Sequence, residues 1–343
     1  VTVSATGVFS DKNVDTGKTI TLTETNGGDD VGNYSITAQG TTTANITAKA
    51  LTIGGITAAN KTYDGDTSAT VDVSAATFTG LVEGDDVTVS ATGVFSDKNV
   101  DTGKTITLTE TNGGDDVGNY SITAQGTTTA NITAKALTIG GITAANKTYD
   151  GDTSATVDVS AATFTGLVEG DDVTVSATGV FSDKNVDTGK TITLTETNGG
   201  DDVGNYSITA QGTTTANITA KALTIGGITA ANKTYDGDTS ATVDVSAATF
   251  TGLVEGDDVT VSATGVFSDK NVDTNKTVTL TETNGGDDVG NYTITAQGTT
   301  TANITAKALS IGGITASNKV YDGDSSATID VSAATFTGLV EGD

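Results

Sequence analysis

Along this chain hydrophobic side chains recur at every second position. In Thr19-Ile20-Thr21-Leu22-Thr23, Ile20 and Leu22 point one way and the threonines the other. Val87, Val89 and Ala91 share a face; so do Val71 and Val73, opposite Asp72, and Tyr34, Ile36 and Ala38, opposite Ser35 and Thr37. A period of two is that of a strand, and one apolar face backed by one polar face is the pattern of an antiparallel sheet that is wet on one side. No run of ten or more residues follows a 3.6-residue period, so no long helix is expected. Clusters such as Asn26-Gly27-Gly28-Asp29-Asp30 and Tyr63-Asp64-Gly65-Asp66 separate the strands as turns. Threonine, a β-branched residue suited to strands, fills the polar positions. The rows Thr19, Thr21, Thr23, Thr25 and Thr41-Thr42-Thr43 read as the wet face of a twisted sheet, not as a flat ice-binding plane.

The whole pattern repeats every 86 residues: Val1-Thr2-Val3-Ser4-Ala5 returns at Val87, Val173 and Val259. The first three copies are identical wherever they overlap. The last carries small changes, among them Asn275 where the others have Gly17, Gly103 and Gly189, Val278 for Ile, and Val320 for Thr. Asn is the residue that best replaces Gly in left-handed backbone, so the exchange marks a tight turn. Parity locates the junction. Ala44, Ile46 and Ala48 lie on even positions, Leu51 and Ile53 on odd ones, and a one-residue slip swaps sheet faces. The buried side therefore changes around Lys49-Ala50. This predicts whole domains at 50–135, 136–221 and 222–307, the rear part of a domain at 1–49 and the front part of another at 308–343. The Gly-free junction predicts a short, stiff joint. A chain that starts and stops inside a repeat reads as a window on a longer array.

Asp30-Val31-Gly32-Asn33-Tyr34 has the D-x-G-x-Y form of a tyrosine corner, in which a tyrosine hydroxyl bonds back to nearby backbone in an immunoglobulin-type sandwich. The corresponding tyrosines of the whole repeats are Tyr120, Tyr206 and Tyr292. The expected fold is all-β: a tandem array of immunoglobulin-like antiparallel β-sandwich domains forming an elongated rod.

Composition narrows the chemistry. There is no His, Cys, Met, Trp, Pro or Arg. That excludes a His-assisted Ser or Cys nucleophile, His/Cys zinc or haem ligation, and disulfides. The net charge is −27, built from −7 per repeat, with only the last repeat short of one Asp. Such a surface repels phosphate backbones and anionic lipid heads, so neither nucleic acid nor membrane insertion is expected. No apolar run approaches the roughly 20 residues of a membrane helix.

Asn60-Lys61-Thr62-Tyr63-Asp64-Gly65, then Ala69-Thr70-Val71, Gly84-Asp85-Asp86-Val87, Gly93-Val94-Phe95-Ser96-Asp97-Lys98-Asn99-Val100 and Gly118-Asn119-Tyr120, taken in this order, resemble the bacterial YDG repeat. The resemblance covers the whole unit. It implies an extracellular, β-rich stalk on the bacterial surface, as in filamentous-haemagglutinin-like adhesins, without catalytic activity.

Among candidate sites, Glu83, Asp85, Asp86, Asp115, Asp116 and Asn119 offer oxygens of the kind Ca²⁺ takes, though without EF-hand spacing, and solvated turn acids are the alternative. Paired carboxylates of a glycosidase need a cleft that so small a domain does not suggest. Lys12, Lys18, Lys49 and Lys61 lie beside turns and read as solvated rather than as isopeptide donors. No catalytic residue and no other cofactor is expected. Near-identical copies suit a task that depends on repeat number. The leading expectation is a non-enzymatic spacer whose partners are its own neighbouring repeats. One alternative is a filament subunit that joins other copies head-to-tail through its split ends. Another is a calcium-binding or adhesive module acting by avidity.

Overall fold

A computed structural model describes residues 1–343. It is all-β, and the same elements recur in each repeat. In 50–135 they begin with an opening strand, Lys49–Gly54, followed by the two-residue strands Thr57–Ala58, Lys61–Thr62, Ser68–Ala69 and Val71–Asp72 and by Thr77–Thr79. A long hairpin follows, Thr88–Phe95 and Asp101–Gly113. After the 3-10 turn Val117–Asn119 come Tyr120–Thr123 and the last strand, Thr127–Thr133. No helix is long and apolar enough to cross a membrane.

The hairpin forms the centre of a five-stranded sheet, ordered Lys61–Thr62, Thr127–Thr133, Asp101–Gly113, Thr88–Phe95, Ser68–Ala69. Its register sets Gly93 opposite Leu108 and Phe95 opposite Ile106. A three-stranded sheet carries the opening strand between Thr77–Thr79 and Tyr120–Thr123. Alternation does what the sequence predicts. Ile106 and Leu108 are buried between exposed Thr105, Thr107 and Thr109. The core joins side chains of both sheets: Ile53 from the opening strand packs with Phe95, Ile106 and Ile132 of the five-stranded sheet, with Ile56 and Tyr63 beside them.

Two pairings depart from the antiparallel expectation. Tyr120–Thr123 runs parallel to Lys49–Gly54, and Lys61–Thr62 runs parallel to Thr127–Thr133. Parallel neighbours need a long crossover, which the intervening hairpin and short strands provide.

A bulge interrupts the ladder between Asp101 and Lys104. There Gly103 has φ 63°, and its N–H donates to Asn131 Oδ1 at 2.7 Å. Asn275, with φ 54°, is the one non-glycine residue with positive φ, and it keeps the same bond to Asn303. The Gly-to-Asn exchange thus marks a left-handed position, as its chemistry indicates.

Contacts divide the chain into two compact units. One comprises 1–140, 162–176 and 197–210, the other 141–161, 177–196 and 211–343. The division runs through the middle repeat, 136–221. Within the first unit, only Ala134 separates the last strand of one repeat from Lys135–Gly140, the opening strand of the next. Buried parity switches there, from Ala130 and Ile132 to Leu137 and Ile139. Tyr34 is 65% exposed and residues 34–40 form no strand, whereas Tyr120 is 8% exposed and paired with Lys49.

Candidate functional site

The densest polar chemistry of the chain lies where one repeat meets the next, and it grows from three local structures. The first is the loop Tyr63-Asp64-Gly65-Asp66. The Tyr63 N–H donates to Thr133 O at 2.8 Å, which pins the loop beside the end of the last strand. Lys61 Nζ bridges Asp64 and Asp66 at 2.7 and 2.8 Å, and Asp66 Oδ1 accepts from both the N–H and the hydroxyl of Ser68. Lys61, then Ser68, hold the Asp66 carboxyl far below the usual carboxylate range. The second is the turn Asp97-Lys98-Asn99-Val100, in which Asp97 Oδ1 accepts from the Asn99 N–H and from Lys104 Nζ. The third belongs to the following repeat: the loop Val168-Glu169-Gly170-Asp171-Asp172, tied to the turn before Tyr206 by the Asp172 N–H donating to Asp202 Oδ2 at 3.0 Å.

These three converge on Asp171, whose side chain is 2% exposed. Its Oδ2 accepts from the hydroxyls of Tyr63 at 2.8 Å and Tyr206 at 2.6 Å. Its Oδ1 pairs with Lys98 Nζ at 3.0 Å, and the same ammonium reaches Asp202 at 3.1 Å. The Tyr206 oxygen in turn accepts from the Val168 N–H at 2.9 Å. The two tyrosine rings meet edge-on, 5.5 Å between centroids. Alongside, the Val100 N–H donates to Asn205 Oδ1 at 2.9 Å, and Asn205 Nδ2 donates to Asn99. Gly65 lies against Val168: a Cβ at Gly65 would stand 2.7 Å from Val168 Cγ1.

Electrostatics favour the ionised carboxylate. Burial opposes the Asp171 charge, but hydrogen bonds from Tyr206, Lys98 and Tyr63 outweigh it and hold the carboxyl below its ordinary range. Asp171, then Tyr63 and Asp202, raise the Lys98 ammonium. Burial, and after it the hydrogen bond to Asp171, pushes the Tyr206 phenol up to about 12.

The arrangement recurs 86 residues on. Asp257 accepts from Tyr149 and Tyr292 at 2.8 and 2.5 Å and pairs with Lys184 at 3.0 Å, while the Val186 N–H donates to Asn291. At the first joint Lys12 pairs with Asp85 at 2.8 Å and Asp116 at 3.1 Å, and the Val14 N–H donates to Asn119. At the last, Tyr235 and Lys270 bind Asp343 at 2.7 and 3.3 Å.

Two sequence readings are corrected here. The tyrosines Tyr120, Tyr206 and Tyr292 do not make a tyrosine corner. The Tyr120 hydroxyl donates to Asp85 at 2.7 Å and accepts from the Val82 N–H at 3.0 Å, far upstream instead of within its own turn. Lys18 is not solvated: it is buried and paired to Asp11, as its equivalent Lys104 is buried and paired to Asp97.

The calcium candidates come together only in part. Asp85, Asp116 and Asn119 face the preceding repeat. Asp86 and Asp115 close the loop through backbone N–H groups, with the Asp86 N–H donating to Asp116 and the Asp115 N–H to Asp86. Glu83 is exposed. No three carboxylates gather in a manner suited to a metal. The cation between Asp85 and Asp116 is Lys12 of the repeat before. Sequence reasoning missed Tyr63, Lys98 and Asn99 as joint residues. The signal available for them was the pairing of a tyrosine, a lysine and an acidic turn in every copy.

No match was found among curated proteins. The YDG domain profile matches residues 47–130, 133–216 and 219–302, successive starts lying 86 residues apart. Its eponymous Tyr-Asp-Gly is the loop that delivers Tyr63 and Gly65 to the joint, and the chain belongs to the YDG domain family as a tandem array.

Proposed function

We propose that this array is a non-enzymatic structural spacer of a bacterial cell-surface adhesin or extracellular matrix protein. One observation supports the reading above others. The groups that a binding or catalytic site would turn toward a substrate are engaged between repeats: a buried carboxylate, two tyrosine hydroxyls, a lysine and a carboxamide in each of the two complete joints. Each joint is heterologous, with one end of a repeat fitting the other end of its neighbour, and such contacts can be repeated from copy to copy along an array. Like charge on every repeat discourages the array from folding back.

Small-angle scattering tests the spacer. The 343-residue chain, compared with versions carrying one and two further 86-residue inserts, should show a maximum dimension that rises by a constant step per insert while the cross-sectional radius stays fixed. A dimension that grows only as the cube root of mass would sink the proposal.

A further inference from the structure

Each complete joint places two tyrosines from different repeats on a single carboxylate oxygen. Tyr63 and Tyr206 both donate to Oδ2 of Asp171, and Tyr149 and Tyr292 both donate to Oδ2 of Asp257. The ring centroids are 5.5 Å apart in both pairs, at 76° and 77° between planes. The shared acceptor holds the two phenol ends at one point of the joint. All four rings are buried, so neither partner of a pair is free to turn away into solvent.

From this geometry we infer that the joints are sites of oxidative tyrosine–tyrosine coupling, in which Tyr63 is joined to Tyr206 and Tyr149 to Tyr292 by a carbon–carbon bond between repeats. The inference rests on the joint itself and is independent of the spacer reading. The oxidant is a one-electron acceptor of the kind a peroxide supplies through a haem peroxidase. Each tyrosine gives up one electron and its phenolic proton, leaving a neutral phenoxyl radical. The two radicals form one bond between the ring carbons adjacent to the oxygens. The hydrogen on each of those carbons then moves to its own oxygen, restoring two phenols. Two electrons and two protons have left in all, and with them one peroxide becomes two waters.

The surroundings favour the first step. A phenol is hard to oxidise while it must hold its proton, and the carboxylate of Asp171 is already hydrogen-bonded to both. Ionised Asp171 is the ready acceptor of that proton, and Lys98, 5.9 Å from the Tyr63 ring centroid and 3.0 Å from Asp171, lies beside it. The bond, once made, ties residues 63 and 206 of one chain and converts a hydrogen-bonded joint into a covalent one.

The test uses the full chain, kept dilute, with a ruthenium photosensitiser and persulfate as the one-electron oxidant. Digestion and mass spectrometry should recover peptides linking Tyr63 to Tyr206 and Tyr149 to Tyr292, with the blue fluorescence of dityrosine in a species that remains monomeric in denaturant. Tyr63→Phe keeps the ring and should remove the first link while leaving the second. Tyr63→Phe with Tyr149→Phe should abolish both. Tyr34→Phe with Tyr321→Phe removes two exposed tyrosines and should leave both links in place. Cross-links confined to Tyr34 and Tyr321, or found only in covalent dimers, would overturn the inference, as would dityrosine that persists in the Tyr63→Phe, Tyr149→Phe chain.

Discussion

Replacing Asp171 by Ala should destabilise the joint it fills by about 2–3 kcal/mol. The substitution leaves two tyrosine hydroxyls and one ammonium facing a gap. Removing one member of a fully buried ion pair costs ~3–5 kcal/mol, because the survivor remains desolvated and unpartnered. Here the cost is smaller, since Lys98 keeps 38% of its side chain in contact with solvent and retains Asp202 at 3.1 Å. Hydrogen exchange of the full chain, read at the amides around Asp171 against those around Asp257, should show the loss. A change within about 0.5 kcal/mol, the range of a surface substitution, would mean that the joint is not held by this carboxylate. The pH dependence gives the same contact a second readout. The carboxyl of Asp171 is lower in the folded chain than in the unfolded one. Its stabilisation is therefore fully present above the unfolded value, near pH 4, and is lost as pH falls through the lower folded value. Asp257 behaves alike. The joints should accordingly survive down to the lower edge of the aspartate range and then loosen. In Asp171→Asn the acid-dependent part from that joint should vanish while the part from Asp257 stays.

The strands were legible because alternation is a local property. Thr105 to Thr109 can be sorted into inside and outside by counting, and burial follows the count. Turn chemistry was legible for the same reason, as Asn275 at φ 54° illustrates. The parallel pairings were not. Lys61–Thr62 is no longer than the period itself, so it carries no pattern that says which strand it joins. Lys18 was misread although the signal was present: it shares parity with Ile20 and Leu22, as its equivalent Lys104 does with the buried Ile106 and Leu108. The joint lay beyond any local rule. Tyr63 is 108 residues from Asp171, Lys98 is 73, and Val100 is 105 from Asn205. The acidic turn was visible as a cluster, but alternation does not say that a lysine of the neighbouring repeat supplies its counter-charge.

The core offers a contrast that the chain itself has already half performed. Ile106 is fully buried, and its Cγ2 lies where the side chain of Gly93 would begin: a Cβ there would stand 2.8 Å from Ile106 Cγ2 and 2.7 Å from Val71 Cγ2. Strand crossing at this point is close because Gly93 has no side chain, and Ile106 fills the space so released. In the last whole repeat the same position is Val278, also fully buried, against Gly265 in the same contact. The site therefore accepts the loss of one methyl group. Ile106→Val should cost about 0.5–1.5 kcal/mol, the ordinary price of that deletion, whereas Ile106→Ala should cost about 2–5 kcal/mol because the rigid hairpin cannot collapse onto the cavity. Gly93→Ala should be destabilising from the opposite direction, by overpacking against Ile106 and Val71. Hydrogen exchange of the full chain reads the result repeat by repeat, which a single melting temperature of an array does not. Protection in the hairpin of 50–135 should fall sharply in Ile106→Ala and only slightly in Ile106→Val. Equal losses in the two variants would show that the space beside Gly93 is loosely filled, and with it the face-to-face packing of the two sheets would have to be abandoned.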